Sequence, residues 1–167
     1  MSDPASDNKI VIAPVRIVEV FALRRLFARA VKNHFAYFTP SVQREIIAGN
    51  SFLRLARGLL DSRRVILVAR TRRELIGYAI GATSRSGSAQ LFWLYVDPDY
   101  RGANTGLSLL SRCLKHLSAR GARAVSIATR DYRKYYERQG FKFVKKAVVS
   151  GAEMDILTFI FKEHDPK

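Results

Sequence analysis

Three apolar runs set in close succession constrain this chain more than any other feature of it. "RVILVART", "ELIGYAIGATS" and "AQLFWLYV" are each rich in β-branched and aromatic residues, and only the short polar stretches "TRR" and "RSGS" separate them. Connections that short join antiparallel neighbours, because a parallel pair needs a crossover of a dozen residues or more. The middle of the chain therefore reads as an antiparallel meander.

The flanking segments alternate in kind. "KIVIAPV" reads as a short strand, followed by a helix from about Arg16 to Lys32 in which Val20, Leu23, Phe27, Ala30 and Val31 recur at helical spacing. Thr39 is a natural N-cap with Pro40 in the first turn after it, and Gly49-Asn50-Ser51 divides this second helical segment into two short helices. Beyond the meander a glycine-bracketed loop opens into a helix with Leu107, Leu110, Leu114 and Leu117 as its apolar stripe, ending at Gly121. "ARAVSIAT" is the next strand, "DYRKYYERQ" a short helix closed by Gly140, and "FKFVKKAVV" with "EMDILTFIF" a final hairpin. The order is βααβββαβαββ, an α/β arrangement without internal repeats.

At 167 residues and 48% hydrophobic content, one domain with its own core is the simplest organisation. Residues 1–8 are polar and expected to fray, leaving a single domain over 9–163. No apolar run approaches the roughly 20 residues that span a bilayer, and "MSDPASDNK" lacks a signal-peptide core, so a soluble, cytoplasmic protein without membrane attachment is expected. A lone Cys113 forms no internal disulfide and reads as a small apolar filler on its helix. His34, His116 and His164 share no ligand spacing, so no metal is expected. The net charge is +15, and the segment from Arg101 to Lys146 holds twelve Lys or Arg against two acids. Such a field suits an anionic partner, either a polyphosphate-bearing cofactor or a nucleic-acid backbone, and repels polycations.

The loop "VDPDYRGANTG" favours the cofactor. A strand that ends in a glycine turn and opens straight into a helix presents unpaired backbone N–H groups and the positive end of the helix dipole. Gly102 and Gly106 let the backbone approach an anion closely, and Arg101 adds a charged donor at the rim. No Lys-Ser/Thr pair follows the last glycine, so this is not a Walker loop; the glycine spacing and the preceding meander exclude a dinucleotide fingerprint.

Together with "YYERQGF" some thirty positions on, this loop makes the chain resemble the GNAT acyltransferase superfamily. The resemblance implies a central mixed, mostly antiparallel sheet of about seven strands with helices on both faces. It implies acetyl-CoA as co-substrate, held by Leu94, Tyr95 and Val96 along the pantetheine arm. The pyrophosphate falls to Arg101, Gly102, Ala103, Asn104, Thr105 and Gly106, with Thr129 beside the cofactor. Tyr136, four residues before Gly140-Phe141, faces the CoA sulfur as the acid of the reaction. The implied reaction is acetyl transfer by direct attack of a primary amine of a small molecule or a protein.

Three positions depart from the family pattern. Asn104 stands where a glycine is usual, and asparagine is the non-glycine residue that best tolerates a positive φ. Thr129 replaces a frequent asparagine, and Tyr132 a frequent alanine, bringing a bulky ring to the mouth of the cofactor channel. The strand before the loop offers Gln90, Phe92, Trp93 and Tyr95 but no carboxylate, leaving Glu45, Asp155, His34 or a water relay to accept the amine's proton. "HFAYF" with Trp93 and Tyr95 is a candidate aromatic acceptor pocket, and the overall charge favours a neutral or acidic amine. The missing carboxylate keeps a second class open: a GNAT-like acyl-CoA sensor without turnover, or a nucleic-acid- or ribosome-associated binding protein. Nucleic acid is the less favoured partner; a homodimer is left open.

Overall fold

The meander and its flanks assemble into one seven-stranded sheet in the computed structural model, which describes residues 9–162. The stretch expected to fray, 1–8, the final residue of the expected domain, and His164 lie outside the described residues. The elements are β1 (Val11–Pro14), α1 (Val20–His34), α2 (Pro40–Gly49), α3 (Phe52–Gly58), β2 (Arg64–Arg70), β3 (Leu75–Thr83) and β4 (Ser88–Val96). They continue with α4 (Thr105–Ser118), β5 (Ala124–Thr129), α5 (Arg133–Arg138), β6 (Lys142–Val149) and β7 (Ala152–Ile160). The spatial order is β1-β2-β3-β4-β5-β7-β6, antiparallel throughout except for β4 beside β5. This is the mixed, mostly antiparallel sheet expected from the sequence.

The two faces of the sheet are buried by different helices. On one face Leu109, Leu110, Cys113 and Leu117 of α4 pack with Leu67, Ile76, Ala79 and Val125. On the other, Val20, Leu23, Phe27 and Val31 of α1 and Leu55 of α3 pack with Ile66, Val68, Tyr78 and Ile80. Alternate residues of β2, and of β3 from Gly77 on, serve the two cores, as the two-residue period of a strand requires; the irregularity opposite Ala69 and Arg70 puts Ile76 out of that phase. α4 lies close on β3 because Gly77 and Gly81 are bare there: a Cβ at Gly77 would stand 3.1 Å from Leu109 Cδ1, and one at Gly81 3.6 Å from Cys113 Sγ. Cys113 thus fills the space above Gly81, and burial pushes its thiol up to about 12.

Two local expectations shift. The first helix begins as a 3-10 turn, Ile17–Glu19, and becomes α only at Val20, with Glu19 receiving the Arg16 N–H over 2.8 Å. The buried stripe of α4 is Leu109, Leu110, Cys113 and Leu117; Leu107 is exposed and Leu114 half-buried. Seating Cys113 over Gly81 rotates the helix away from the all-leucine arc. The second helical segment divides as expected, with Thr39 Oγ1 accepting the Val42 N–H at 3.4 Å. Among the described residues no helix is long and apolar enough to cross a membrane.

Position 92 decides where the site forms. Ile80 pairs with Trp93 but Gly81 pairs with Leu91, so Phe92 is an extra residue on β4, and the bulge bends that strand. Pairing with β5 ends nearby: only Ser88–Ala124, Ala89–Val125 and Gln90–Ser126 match across the parallel pair. Beyond them β5 continues along β7 through Thr129 while β4 turns away. A wedge opens in the middle of the sheet, with the C-terminal half of β4 as one wall.

Candidate active site

The wedge is the mouth of a cleft of about 580 Å3 that runs from the loop after β4 to the α1–α2 connection. Of the residues assigned from the sequence, Leu94, Tyr95, Val96, Arg101, Gly102, Asn104, Thr105, Gly106, Thr129 and Tyr136 all line it. Ala103 does not: it sits exposed at the crest of the turn between Gly102 (φ 89°) and Asn104 (φ 56°), where the chain reverses away from the cleft. Asn104 adopts the left-handed conformation (ψ 13°) that makes asparagine an acceptable substitute for glycine.

The loop is held from two sides. Asp97 caps the 3-10 turn Pro98–Tyr100 by accepting the Asp99 N–H at 3.4 Å, and Arg29 of α1 grips the same carboxylate over 2.6 Å. Arg101 turns back, its Nε–H donating to the Val96 carbonyl at 3.0 Å and its guanidinium carbon lying 5.9 Å from the Tyr95 ring centre. Arg101 is therefore partly engaged in fixing the end of β4, and is less free than the rim donor expected from the sequence. Just beyond, the first turn of α4 presents N–H groups that have no partner within the helix. Two hydroxyls point to a missing polar partner here. Thr105 Oγ1 and Tyr135 Oη are both buried with no hydrogen-bond partner, and Tyr135 Oη lies 3.6 Å from where a Cβ on Gly106 would stand.

Tyr136 occupies the β5 side. It is buried, with its ring 5.1 Å from that of Tyr135 and 5.5 Å from that of Phe141. Burial, reinforced by Tyr135, Tyr132 and Tyr37, raises its pKa well above the ordinary tyrosine value, so its hydroxyl keeps its proton. Thr129 does something the sequence did not suggest: its Oγ1 accepts the Tyr132 N–H at 3.2 Å and caps the turn into α5. Tyr132 itself is exposed, on the cleft wall.

The far end of the cleft is aromatic. His34, Phe35, Tyr37 and Phe38 face Trp93 and Tyr95 across it, which brings together the whole group that the sequence offered as an acceptor pocket. Phe35 meets Trp93 edge-on at 5.6 Å and Tyr37 at 5.9 Å, and His34 lies 5.5 Å from Tyr95. Of the proton acceptors considered, His34 is on the wall, while Glu45 and Asp155 are not. Asp155 faces an adjoining charged groove, 3.9 Å from Arg133. The sequence reading missed Asp131, the one carboxylate on the cleft wall among the described residues. Burial, and then the charge of Asp131, push the Tyr37 hydroxyl up to about 12. The signal for Asp131 was its place just past the end of a strand at a β-to-α turn. Tyr135 was also missed, since only Tyr136 stands four residues before Gly140.

Residues 62–143 match the acetyltransferase (GNAT) domain family. No curated protein sequence matches the chain significantly. Among solved structures it is similar to the PaiA N-acetyltransferase of Thermoplasma acidophilum in complex with coenzyme A (20% identity, TM-score 0.77, 92% of this chain and 99% of that one). It is also similar to YncA of Salmonella typhimurium with its cofactor acetyl-CoA (19% identity, TM-score 0.70, 96% and 98%) and to a GNAT-family acetyltransferase of Staphylococcus aureus (16% identity, TM-score 0.74, 92% and 100%). At these identities the structural likeness is one of fold. The domain match falls on the meander, the loop, α4 and α5, so residues 62–143 of the chain are a match to the GNAT acetyltransferase domain, set within a GNAT fold.

Proposed function

We propose that this chain, acting as a single domain, transfers an acetyl group from acetyl-CoA to a primary amine by direct attack. One observation carries the reading. The wedge between β4 and β5 ends at a positive-φ loop on the N-terminus of α4, with a protonated Tyr136 on the opposite wall. The residues present fit acetyl-CoA. Leu94 to Val96 have no β5 partner, so their backbone polar groups on that side are open to an extended amide chain. The N–H groups after Asn104 and the unpartnered Thr105 hydroxyl suit a pyrophosphate.

Acetyl-CoA supplies an acyl thioester, already activated toward an amine. The chain's own work is to align, to exclude water and to move protons. Tyr136 holds a proton at Oη for a departing thiolate. Backbone N–H groups of β4 near Tyr95 and Val96 are available to an oxyanion. His34 and Asp131, at the aromatic end, can accept the proton of an incoming ammonium, the task for which β4 carries no carboxylate.

Calorimetry with CoA followed by a thiol-release assay across an amine panel tests the reading. Binding and turnover are expected. Absence of CoA binding removes it, and tight binding with no turnover on any amine would leave an acyl-CoA-binding protein instead.

A further inference from the structure

The two walls of the cleft belong to different faces of the sheet. Leu94 and Val96 of β4 pack with the α4-side core, whereas Trp93 and Tyr95 pack with the α1-side core. The cleft therefore passes through the sheet. The loop after β4 and Tyr135 sit on the α4 side, and Phe35 and Trp93 on the α1 side, with Tyr37 beside Phe35 in a third cluster that includes Met154 of β7.

Resting on the acetyl-transfer reading above, we infer that the acceptor is a monoamine carried on an aromatic or branched apolar body, entering on the α1 side between Phe35, Tyr37 and Trp93. Shape and chemistry agree. Phe35 meets Tyr37 on one side and Trp93 on the other, both edge-on, so that Tyr37 and Trp93 stand apart as the sides of a slot, and Ile46 and Met154 add aliphatic surface beside them. Charge narrows the class. Arg101, Arg130 and Asp131 are the Lys, Arg, Asp or Glu side chains on the wall among the described residues, and Arg101 lies toward the loop. Asp131 is exposed and stands 3.9 Å from Arg130, so its carboxylate, shared with that guanidinium, balances at most one ammonium. A second or third cation would enter beside Arg130, whose guanidinium carbon stands 5.1 Å from the Tyr37 ring centre, and would lose its hydration with nothing to replace it. The net charge of +15 opposes polycations at long range as well. A small hydrophilic monoamine meets no such barrier but gains nothing from the rings, so polarity of the body separates it from the favoured class.

Trp93 is the one tryptophan of the chain and stands in the slot, so its emission reports amine binding directly, with no turnover needed. The experiment compares phenethylamine and 3-methylbutylamine with ethanolamine and spermidine, by Trp93 fluorescence with CoA bound and by kcat/KM. A saturable emission change is expected for the first pair only, with kcat/KM at least about 100-fold higher, since a single methylene in such a pocket is worth 10–200-fold. Phe35→Ala should weaken phenethylamine about tenfold while CoA affinity stays as in the wild type. Spermidine or ethanolamine used as well as phenethylamine would overturn the inference, as would acetylation of other amines with Trp93 indifferent to phenethylamine. Saturable, selective binding without transfer would support the slot and count against the acetyl-transfer reading alone.

Discussion

Arg101 and Val96 are tied across the turn by the Nε–H of one and the carbonyl of the other, 3.0 Å apart, with the guanidinium near the Tyr95 ring. The bond fixes the end of β4 to the start of the phosphate loop, so the residue's geometry matters as well as its charge. Lysine keeps the charge but lacks the planar fork. Arg101→Lys and Arg101→Ala are both expected to lower CoA affinity by tenfold or more, the size of one lost charge-assisted hydrogen bond. Calorimetry checks this, and a lysine variant with wild-type affinity would show that charge alone is at work.

Gly106 permits a cleaner separation of fold from binding. Its φ is not positive, and a Cβ there would be in ordinary contact, 3.6 Å from Tyr135 Oη and 3.7 Å from Val96 Cγ2. Alanine is the better helix former by up to about 1 kcal/mol, so Gly106→Ala should leave Tm level or raised. The same methyl projects into the space proposed for the pyrophosphate, and CoA affinity should fall at least tenfold. Thermal unfolding with and without CoA reads both. A variant that gains the usual CoA shift in Tm would move the phosphate site elsewhere.

Glu19 joins three elements at the entrance to α1. It accepts from the Arg16 N–H, lies 2.9 Å from the Arg16 guanidinium and 2.8 Å from that of Arg70 on β2. Burial alone would raise its pKa, but the Arg16 hydrogen bonds and the nearby arginine charges together outweigh burial, and the net shift is downward. A folded-state pKa below the unfolded one contributes stability that is complete above the unfolded value of about 4.3 and is lost as pH falls through the folded one. Glu19→Gln should therefore cost roughly 1–3 kcal/mol near neutrality, as for a hydrogen bond to a charged group. The gap to wild type should close as denaturation is repeated below about pH 4.3. A gap that stays constant into acid would mean that shape, not charge, is what Glu19 provides.

The elements that could be read from the sequence are those specified by neighbours along the chain. Thr39-Pro40 marks a helix start, Asn104 tolerates the left-handed turn, and the two short connections force the meander, each within a few residues. The wedge is different in kind. It depends on Phe92 being the odd residue in the β3–β4 register and on the parallel pair stopping at Gln90, and both are long-range facts with no local signature. Helical periodicity picked out the all-leucine arc of α4, and contact with Gly81 on a distant strand turned the buried face to Leu109 and Cys113 instead. At the site, Arg101 and Thr129 could be located but not their partners, and Tyr135 carried no signal of its own beside Tyr136. A hydrogen bond to the Val96 carbonyl, a cap on Tyr132 and an unmatched hydroxyl beside Gly106 exist only once the chain is folded.

The adjacent pair Tyr135 and Tyr136 holds different places in the cleft, and under the acetyl-transfer proposal their phenylalanine variants should differ in kind. Tyr136 is held protonated by burial and by three neighbouring tyrosines, so its proton is in place to be given, while the raised pKa lowers the driving force of the transfer; general acid catalysis is worth roughly 10²- to 10⁴-fold. Tyr136→Phe keeps the ring contacts to Tyr135 and Phe141, so kcat should fall at least about 100-fold with CoA affinity nearly unchanged. Tyr135 has no role in the sequence reading, but its unpartnered hydroxyl beside Gly106 gives Tyr135→Phe the opposite signature, weaker CoA binding with kcat nearly intact. The pH dependence separates the roles further. With its pKa raised well above the usual value of about 10, Tyr136 stays protonated throughout pH 7 to 9, and kcat should show no falling limb from it over that range. A limb in that window that disappears in Tyr136→Phe, or a kcat loss well below tenfold, would reduce Tyr136 to a packing contact of the cofactor channel.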